Sequence, residues 1–184
     1  MVEFRGFIAI DVPVSESIIK IEEEIRDSGA VVKLVEPKNI HITLKFLGDT
    51  SVDLVDDITS IIKDSIAEVG PFKIKLADVG AFPNLDYIKV MWIGLQNFEG
   101  LIPIYEKIDS GCVDIGFKKE KRGFSPHLTI ARVKSARNKD RLVDIIGKNK
   151  NTVFSEFLVD SIKLKKSVLT SDGPIYSNVA EVGL

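Results

Sequence analysis

The sequence of 184 residues is poor in the two side chains that most often bind metals, with one cysteine, Cys112, and two histidines, His41 and His127. A lone cysteine cannot form an internal disulfide and leaves no basis for a cysteine-rich zinc site. Two histidines without a neighbouring cluster of carboxylates or cysteines give little reason to expect a bound metal. We therefore expect neither a metal nor a cofactor.

Long hydrophobic runs are also missing. No apolar stretch approaches the roughly 20 residues that a membrane helix needs, so we expect no membrane association. The first residues, MVEFRGFIAID, lack a basic segment followed by an apolar one and resemble a strand rather than a signal peptide. Together with the single cysteine, these features predict a cytoplasmic protein, and no segment indicates an obligate protein partner.

The charge balance is close to neutral, with a net charge of −2 at pH 7, and does not by itself indicate a nucleic-acid binder. The distribution is less even, because residues 117–139 contain eight basic residues and one acid, Glu120. This basic tract is either an ordinary solvated surface or a patch that attracts phosphate. Its members are Lys118, Lys119, Lys121, Arg122, Arg132, Lys134, Arg137 and Lys139.

Strand and helix patterns alternate along the chain. Ser15 and Gly29 bound one amphipathic helix, and residues 154–170 form a single closing strand in this interpretation. A strand with a histidine, a helix and a pair of strands occur in this order twice, and no Pro-, Gly- or Ser-rich linker separates them. We predict one α+β domain, residues 1–184, with two similar lobes. Each lobe has an antiparallel sheet with helices on its outer face.

Both histidines stand in the same short phrase, His-x-Thr followed by an apolar residue: His41 in IHITLKF and His127 in PHLTI. There are six threonines in 184 residues, so one histidine has a threonine two positions later about 3% of the time. Both do so on the order of 0.1% of the time by chance. The pairing therefore indicates function more strongly than either phrase alone.

Alternation along a strand places residues i and i+2 on the same face. His41 and Thr43 share one face, as do His127 and Thr129. The same alternation puts Lys45 beside Thr43, where we expect a surface lysine on the strand rim. Phe46 falls on the apolar face, and the core is the better prediction for it than a nucleobase-stacking position. Trp92 lies among apolar strand residues, and we also expect it in the core.

Two facing imidazoles suit acid–base chemistry, since one can accept a proton while the other donates one near neutral pH. Cleavage of a phosphodiester needs both steps, to activate water and to protonate the departing oxygen. The threonine hydroxyls can donate hydrogen bonds to the phosphate oxygens.

These phrases resemble the paired His-x-Thr-x signatures of the two-histidine phosphoesterase superfamily. The resemblance is closest to the RNA 2′,3′-cyclic phosphodiesterases first named 2′-5′ RNA ligases (LigT-like). RGFIAIDVP, HITLKFLG, FSPHLTIAR and GPIYSNV carry the resemblance across nearly the whole chain. It implies two α+β lobes related by a pseudo-twofold axis around a central cleft, with both phrases lining the cleft.

The resemblance also implies roles. His41 would donate a proton to the leaving 3′ oxygen, and His127 would accept one from water. Thr43, Thr129 and Arg132 would bind phosphate. The two phrases are chemically equivalent, so the residues alone do not decide which histidine is the acid.

Arg132 poses a geometric difficulty, because plain alternation puts it on the opposite side of the strand from His127. A strand end, a bulge or a long reach would be needed to bring its guanidinium to the phosphate.

The implied reaction is metal-independent hydrolysis of RNA 2′,3′-cyclic phosphate ends to 2′-phosphomonoesters. Substrates left open are RNA ends, including tRNA fragments, and nucleotide cyclic phosphates. Two alternatives also stay open: joining of RNA ends through a 2′-5′ linkage in the same cleft, and non-catalytic binding of RNA ends or nucleotides.

Overall fold

The computed structural model describes residues 2–121, 123–171 and 173–184, so Arg122 of the basic tract lies outside the described residues. These residues form nine strands and four α-helices. None of the helices described is long and apolar enough to cross a membrane. In chain order the elements are β1 (Glu3–Asp11), α1 (Glu16–Asp27), β2 (Val32–Leu34), β3 (His41–Ser51), α2 (Val55–Ile66), β4 (Phe72–Pro83), β5 (Ile88–Gln96), α3 (Leu101–Asp114), β6 (His127–Val133), α4 (Lys139–Lys148), β7 (Val153–Val159), β8 (Ser161–Leu169) and β9 (Pro174–Gly183).

The first helix forms where the sequence pattern predicts it. The Ser15 hydroxyl accepts a hydrogen bond from the backbone N–H of Ile18 at 3.4 Å and begins α1. Isoleucines at helical spacing are buried in α1 and α2 and hold these helices against the sheet. They are Ile18, Ile21 and Ile25 in α1, and Ile58, Ile62 and Ile66 in α2.

All strand pairs described are antiparallel, and the strands form one sheet rather than two separate ones. The order is β7-β4-β5-β6-β3-β1-β8-β9, with β2 paired to β6. The two histidine-bearing strands, β3 and β6, meet at the middle through a single residue pair, Ile42 with Leu128. Helices packed on an antiparallel sheet agree with the predicted α+β class. The two sheets that were predicted are, however, joined into one continuous sheet at this pair.

The helices divide between the two sides of that junction. α2 and α3 contact each other and pack on β3, β8 and β9, which with β1 make up what we call the His41 half. α1 and α4 contact each other and pack on β2, β4 and β7, which with β5 and β6 make up the His127 half. The helices cover one face of the sheet, and we call the other the open face.

Neither half is a continuous segment of the chain. β4 and β5 follow the first histidine phrase in sequence but belong to the His127 half, whereas β8 and β9 follow the second phrase and belong to the His41 half. The predicted single strand over residues 154–170 is wrong for this reason. It breaks at Asp160 into β7 and β8, which lie at different ends of the sheet order.

Candidate active site

The two His-x-Thr phrases come together at the junction of the halves. Ile42 and Leu128, which pair β3 with β6, are fully buried on the helix side. One residue to either side of this pair, the side chains point to the open face. His41, Thr43, His127 and Thr129 therefore surround one backbone pair on one face of the sheet, and each is partly exposed.

The two imidazoles have the same orienting hydrogen bond. Nδ1 of His41 lies 2.7 Å from the carbonyl oxygen of Asn39, and Nδ1 of His127 lies 2.8 Å from that of Ser125. A carbonyl oxygen can only accept, so Nδ1 carries a proton in both rings. Nε2 is then the nitrogen of each neutral ring that can accept a proton from a ligand.

Each of the two strands contains a β-bulge directly after its His-x-Thr phrase. The register of β3 against β1 shifts at Leu44, which has no partner between those of Thr43 and Lys45. The register of β6 against β5 shifts in the same way at Ile130. A bulge inserts one residue, so the alternation of faces reverses beyond it.

This reversal changes the positions of three side chains. Arg132 is exposed and lies on the open face, which removes the difficulty that plain alternation poses. Phe46 also lies on the open face and is 71% exposed, so the core prediction for it is wrong. Lys45 points to the helix side and is only 4% exposed, so the prediction of a rim lysine is wrong as well.

Buried Lys45 connects the first phrase to the loop that precedes the second. Its Nζ lies 2.5 Å from Oδ1 of Asp109 in α3 and donates to the carbonyl of Lys118 at 3.0 Å. The same Asp109 oxygen accepts from the backbone N–H of Glu120 at 3.2 Å. The buried ion pair thus fastens the loop between α3 and β6 to the strand that carries His41.

Two aromatic rings surround His41 on the open face. The ring of Phe7 lies 5.0 Å from the imidazole centroid, and the ring of Tyr176 meets it edge-on at 5.3 Å. Asn39, whose carbonyl orients the imidazole, donates from its own amide to the carbonyl of Pro174 at 3.0 Å. The start of β9 and the start of β3 are thereby held together around His41.

Burial lowers the pKa of the His41 imidazole below its ordinary value. The bond to the Asn39 carbonyl and the carboxylate of Asp11 act in the opposite direction, while the positive charges of Lys165 and Arg132 add to the lowering. Without a ligand, His41 is accordingly more often neutral at neutral pH than an exposed histidine.

An ion network lies beside His41. Asp11 is the β1 residue opposite His41, and it accepts hydrogen bonds from Lys163 at 2.9 Å and from Lys165. Burial alone would raise the pKa of Asp11, but the bonds from the two lysines outweigh it and lower the pKa. Lys163 also reaches Glu181 at 3.6 Å, so the charges of the network largely cancel.

His127 has a different environment, in which aromatic rings predominate. The ring of Phe82 meets the imidazole edge-on at 4.9 Å, and the Trp92 ring lies 6.5 Å away. Trp92 is half-buried on the open face rather than in the core as predicted. It lies against Gly80, where an added Cβ would come within 2.2 Å of the indole.

Several residues next to the two histidines were not singled out from the sequence as site residues. Asp11 and Tyr176 occur in RGFIAIDVP and GPIYSNV, two of the phrases that carry the family resemblance, so a signal for them was available. Lys163 and Lys165 had no such signal, because only the strand order brings β8 next to β1.

The chain is similar in sequence to known proteins over nearly its whole length. The sequence profile described as the 2′-5′ RNA ligase superfamily matches residues 14–168. The chain is 45% identical over 179 residues to an RNA 2′,3′-cyclic phosphodiesterase of Methanocaldococcus jannaschii, covering 96% of this chain and 99% of the relative. It is 37% identical to a protein of the same name from Methanothermobacter thermautotrophicus, covering 95% of this chain and 96% of the relative.

Solved structures share the fold. TT0787 of Thermus thermophilus superposes with a TM-score of 0.81 at 24% identity, covering 98% of this chain and 97% of that one. E. coli LigT complexed with 3′-AMP superposes with a TM-score of 0.74 at 23% identity, covering 100% of this chain and 99% of LigT.

Proposed function

Because the chain belongs to the 2′-5′ RNA ligase superfamily, as its paired phrases predicted, we propose that it hydrolyses RNA 2′,3′-cyclic phosphate ends to 2′-phosphomonoesters without a metal. The observation that carries this proposal is the position of His41, Thr43, His127 and Thr129 around the single Ile42–Leu128 pair. Relatives named RNA 2′,3′-cyclic phosphodiesterase support both the enzyme class and RNA as the substrate.

In the proposed reaction, Nε2 of His127 accepts a proton from water, whose oxygen forms a bond to phosphorus. The bond from phosphorus to O3′ breaks, and Nε2–H of His41 donates its proton to that oxygen. The 2′-phosphate stays on the ribose, and each imidazole ends in the protonation state in which the other began. The two Nδ1 hydrogen bonds support these roles because they direct both Nε2 atoms to the ligand side.

Phosphate binding falls to Thr43, Thr129 and Arg132. The threonine hydroxyls donate to non-bridging oxygens, on which charge increases in the transition state. Arg132 adds a guanidinium, which suits phosphate oxygens. The bound anion also favours the protonated form of His41 and so opposes the effect of burial on its pKa.

We also propose that residues 1–184 work as one domain in which the two halves are related by a pseudo-twofold axis through the cleft. The matching Nδ1 bonds and the matching bulges at Leu44 and Ile130 support this relation. Substrates in keeping with the site are RNA ends, tRNA fragments among them, and nucleotide cyclic phosphates. Exposed lysines before β6, including Lys118, Lys119 and Lys121, favour a ligand with several phosphates.

The test is turnover of an RNA oligonucleotide that ends in a 2′,3′-cyclic phosphate, with EDTA present, by the wild type, His41→Ala and His127→Ala. We expect a 2′-phosphate product from the wild type and a loss of about 10²–10⁴-fold in kcat for each variant. Thermal unfolding of the variants controls for folding. No turnover of oligonucleotides or cyclic mononucleotides by the wild type would overturn the proposal.

The same assay separates the alternatives. A 2′-5′ joining enzyme uses the acid–base pair in reverse, so it would yield a longer strand when a 5′-hydroxyl RNA is added. A non-catalytic binder would show no turnover, and the alanine variants would change only its affinity.

A further inference from the structure

Helix α3 holds the loop that leads to His127 at two points. Tyr105 and Asp109 are four residues apart and so lie on the same side of this helix. Asp109 accepts a hydrogen bond from the backbone N–H of Glu120 at 3.2 Å. The Tyr105 ring stacks on the ring of Phe124, with the centroids 4.3 Å apart and an interplanar angle of 14°. Glu120 and Phe124 are therefore both fixed to α3.

The Phe124 ring lies next to the group that orients His127. Phe124 directly precedes Ser125, whose carbonyl accepts the hydrogen bond from Nδ1–H of His127. Ser125 is exposed and belongs to no helix or strand, so no backbone ladder fixes its carbonyl. Pro126 restricts the residue before it to extended conformations and has a fixed φ angle itself. The short segment is therefore stiff, and a shift of the Phe124 ring is passed on to the Ser125 carbonyl.

The carbonyl that orients His41 also has a partner elsewhere in the fold. Asn39 is buried and donates from its side chain to the carbonyl of Pro174, the first residue of β9. At the second phrase, the corresponding contact is the stack of Phe124 on α3. Both β9 and α3 belong to the His41 half. A helix of the His41 half thus acts on the histidine of the other half.

We propose that Tyr105 is a positioning residue for His127. Its ring holds Phe124, and through it the Ser125 carbonyl that keeps the imidazole proton on Nδ1. This inference rests on the proposed function and deepens it, because a neutral ring protonated on Nδ1 leaves Nε2 free to accept the proton of water. With the carbonyl displaced, the neutral ring can carry its proton on either nitrogen, and the form with Nε2–H cannot act as the base.

The first measurement identifies the tautomer of His127. Nitrogen NMR chemical shifts of a neutral imidazole show which nitrogen carries the proton. The chain has two histidines, so each ring is assigned in the variant that lacks the other. The wild type should show Nδ1–H in both rings, whereas Tyr105→Ala should show a mixture of tautomers at His127 and leave His41 unchanged.

The second measurement is turnover of the RNA oligonucleotide that ends in a 2′,3′-cyclic phosphate. Tyr105→Ala should lower kcat about 10-fold and change KM about twofold at most, because the base is displaced and phosphate binding is not. Tyr105→Phe should keep the wild-type kcat, since stacking needs the ring and not the hydroxyl.

Two further variants isolate the stack. Phe124→Ala removes it without a substitution in α3 and should reproduce both effects of Tyr105→Ala. The double variant should be no worse than either single one, because both substitutions remove the same contact. Ile102→Ala is the control, since it shortens an exposed side chain of the same helix, and it should leave both measurements unchanged.

A wild-type nitrogen spectrum for His127 in either Tyr105→Ala or Phe124→Ala would overturn the positioning role, whatever the effect on kcat. Equal changes at His41 and His127 would overturn it as well, since they would show a general loss of structure. The spectra need no turnover, so the two proposals fail separately. If the tautomer of His127 depends on Tyr105 and the wild type hydrolyses no cyclic phosphate, the proposed function fails and the positioning of the ring stands.

Discussion

Strands β3 and β6 carry the same histidine–threonine phrase, the same Nδ1 hydrogen bond and the same bulge, but the residues around them differ. His41 lies between aromatic rings and an ion network centred on Asp11, whereas His127 lies against Phe82 and Trp92. The backbone thus gives both imidazoles one geometry, and the neighbouring strands give each its own electrostatic environment. Because burial lowers the pKa of His41, its proposed role as proton donor depends on the bound phosphate anion, which favours the protonated ring.

The largest expected effect separates the acid from the base. A substrate with sulfur at the bridging 3′ position has a leaving thiolate that needs no proton. His41→Ala should therefore keep activity close to the wild type on it, while losing about 10²–10⁴-fold on the oxygen ester.

His127→Ala should remain impaired on both esters, because water activation is unchanged by the leaving group. If the 3′-sulfur substrate restored the activity of His127→Ala and not that of His41→Ala in the same steady-state assay, the assignment of the two roles would be reversed.

The residue after each bulge differs between the halves: Lys45 in β3 and Ala131 in β6, both buried. Lys45→Ala leaves the Asp109 carboxylate buried without its partner and should lower the free energy of unfolding by about 3–5 kcal/mol in a urea titration. The double variant Lys45→Met/Asp109→Leu should recover most of that loss. If Lys45→Ala were as stable as the wild type, the ion pair would not hold the loop before His127.

The aromatic packing beside His127 can be disturbed without a substitution in the His41 half. A methyl group on Gly80 would come within 2.2 Å of the Trp92 indole, so Gly80→Ala should displace Trp92 and with it His127. We expect kcat to fall about 10-fold, since small misplacements of catalytic groups are costly.

Gly147→Ala is the matched control, because a Cβ there meets nothing within 4 Å, and its kcat should be unchanged. A wild-type kcat for Gly80→Ala would show that Trp92 does not position His127.

The smallest expected effect concerns pH and the ion network of the His41 half. The Asp11 carboxylate raises the pKa of His41, so Asp11→Asn should lower this pKa further below its ordinary value. A protonated donor would then be lost at lower pH, and the alkaline limb of the kcat/KM profile should move to lower pH. NMR titration of the His41 imidazole measures the change in its pKa, and Asp144→Asn, at an exposed position of α4, is the control. A move of the alkaline limb to higher pH in Asp11→Asn would contradict this prediction.

Much of the local structure could be predicted from sequence because it has local causes. Ser15 begins α1 through its own hydroxyl, and the His-x-Thr phrases place four side chains on one face by strand alternation. The predicted positions of Phe46 and Lys45 are wrong because the alternation of faces holds only up to a bulge. The Leu44 bulge arises from the pairing of β3 with β1. Pairing between distant strands has no local signature, and for this reason the break at Asp160 was missed as well.

The exchange of strands between the halves orders events during synthesis of the chain. β1 leaves the ribosome before the other strands described but pairs with β8, residues 161–169, on one side and with β3 on the other. The ion network beside His41 cannot form until Lys163 and Lys165 have emerged, which follow both histidine phrases in the chain. A nascent chain therefore contains both histidines before the ion network beside His41 can form, and the surroundings of His41 are completed by a late part of the chain.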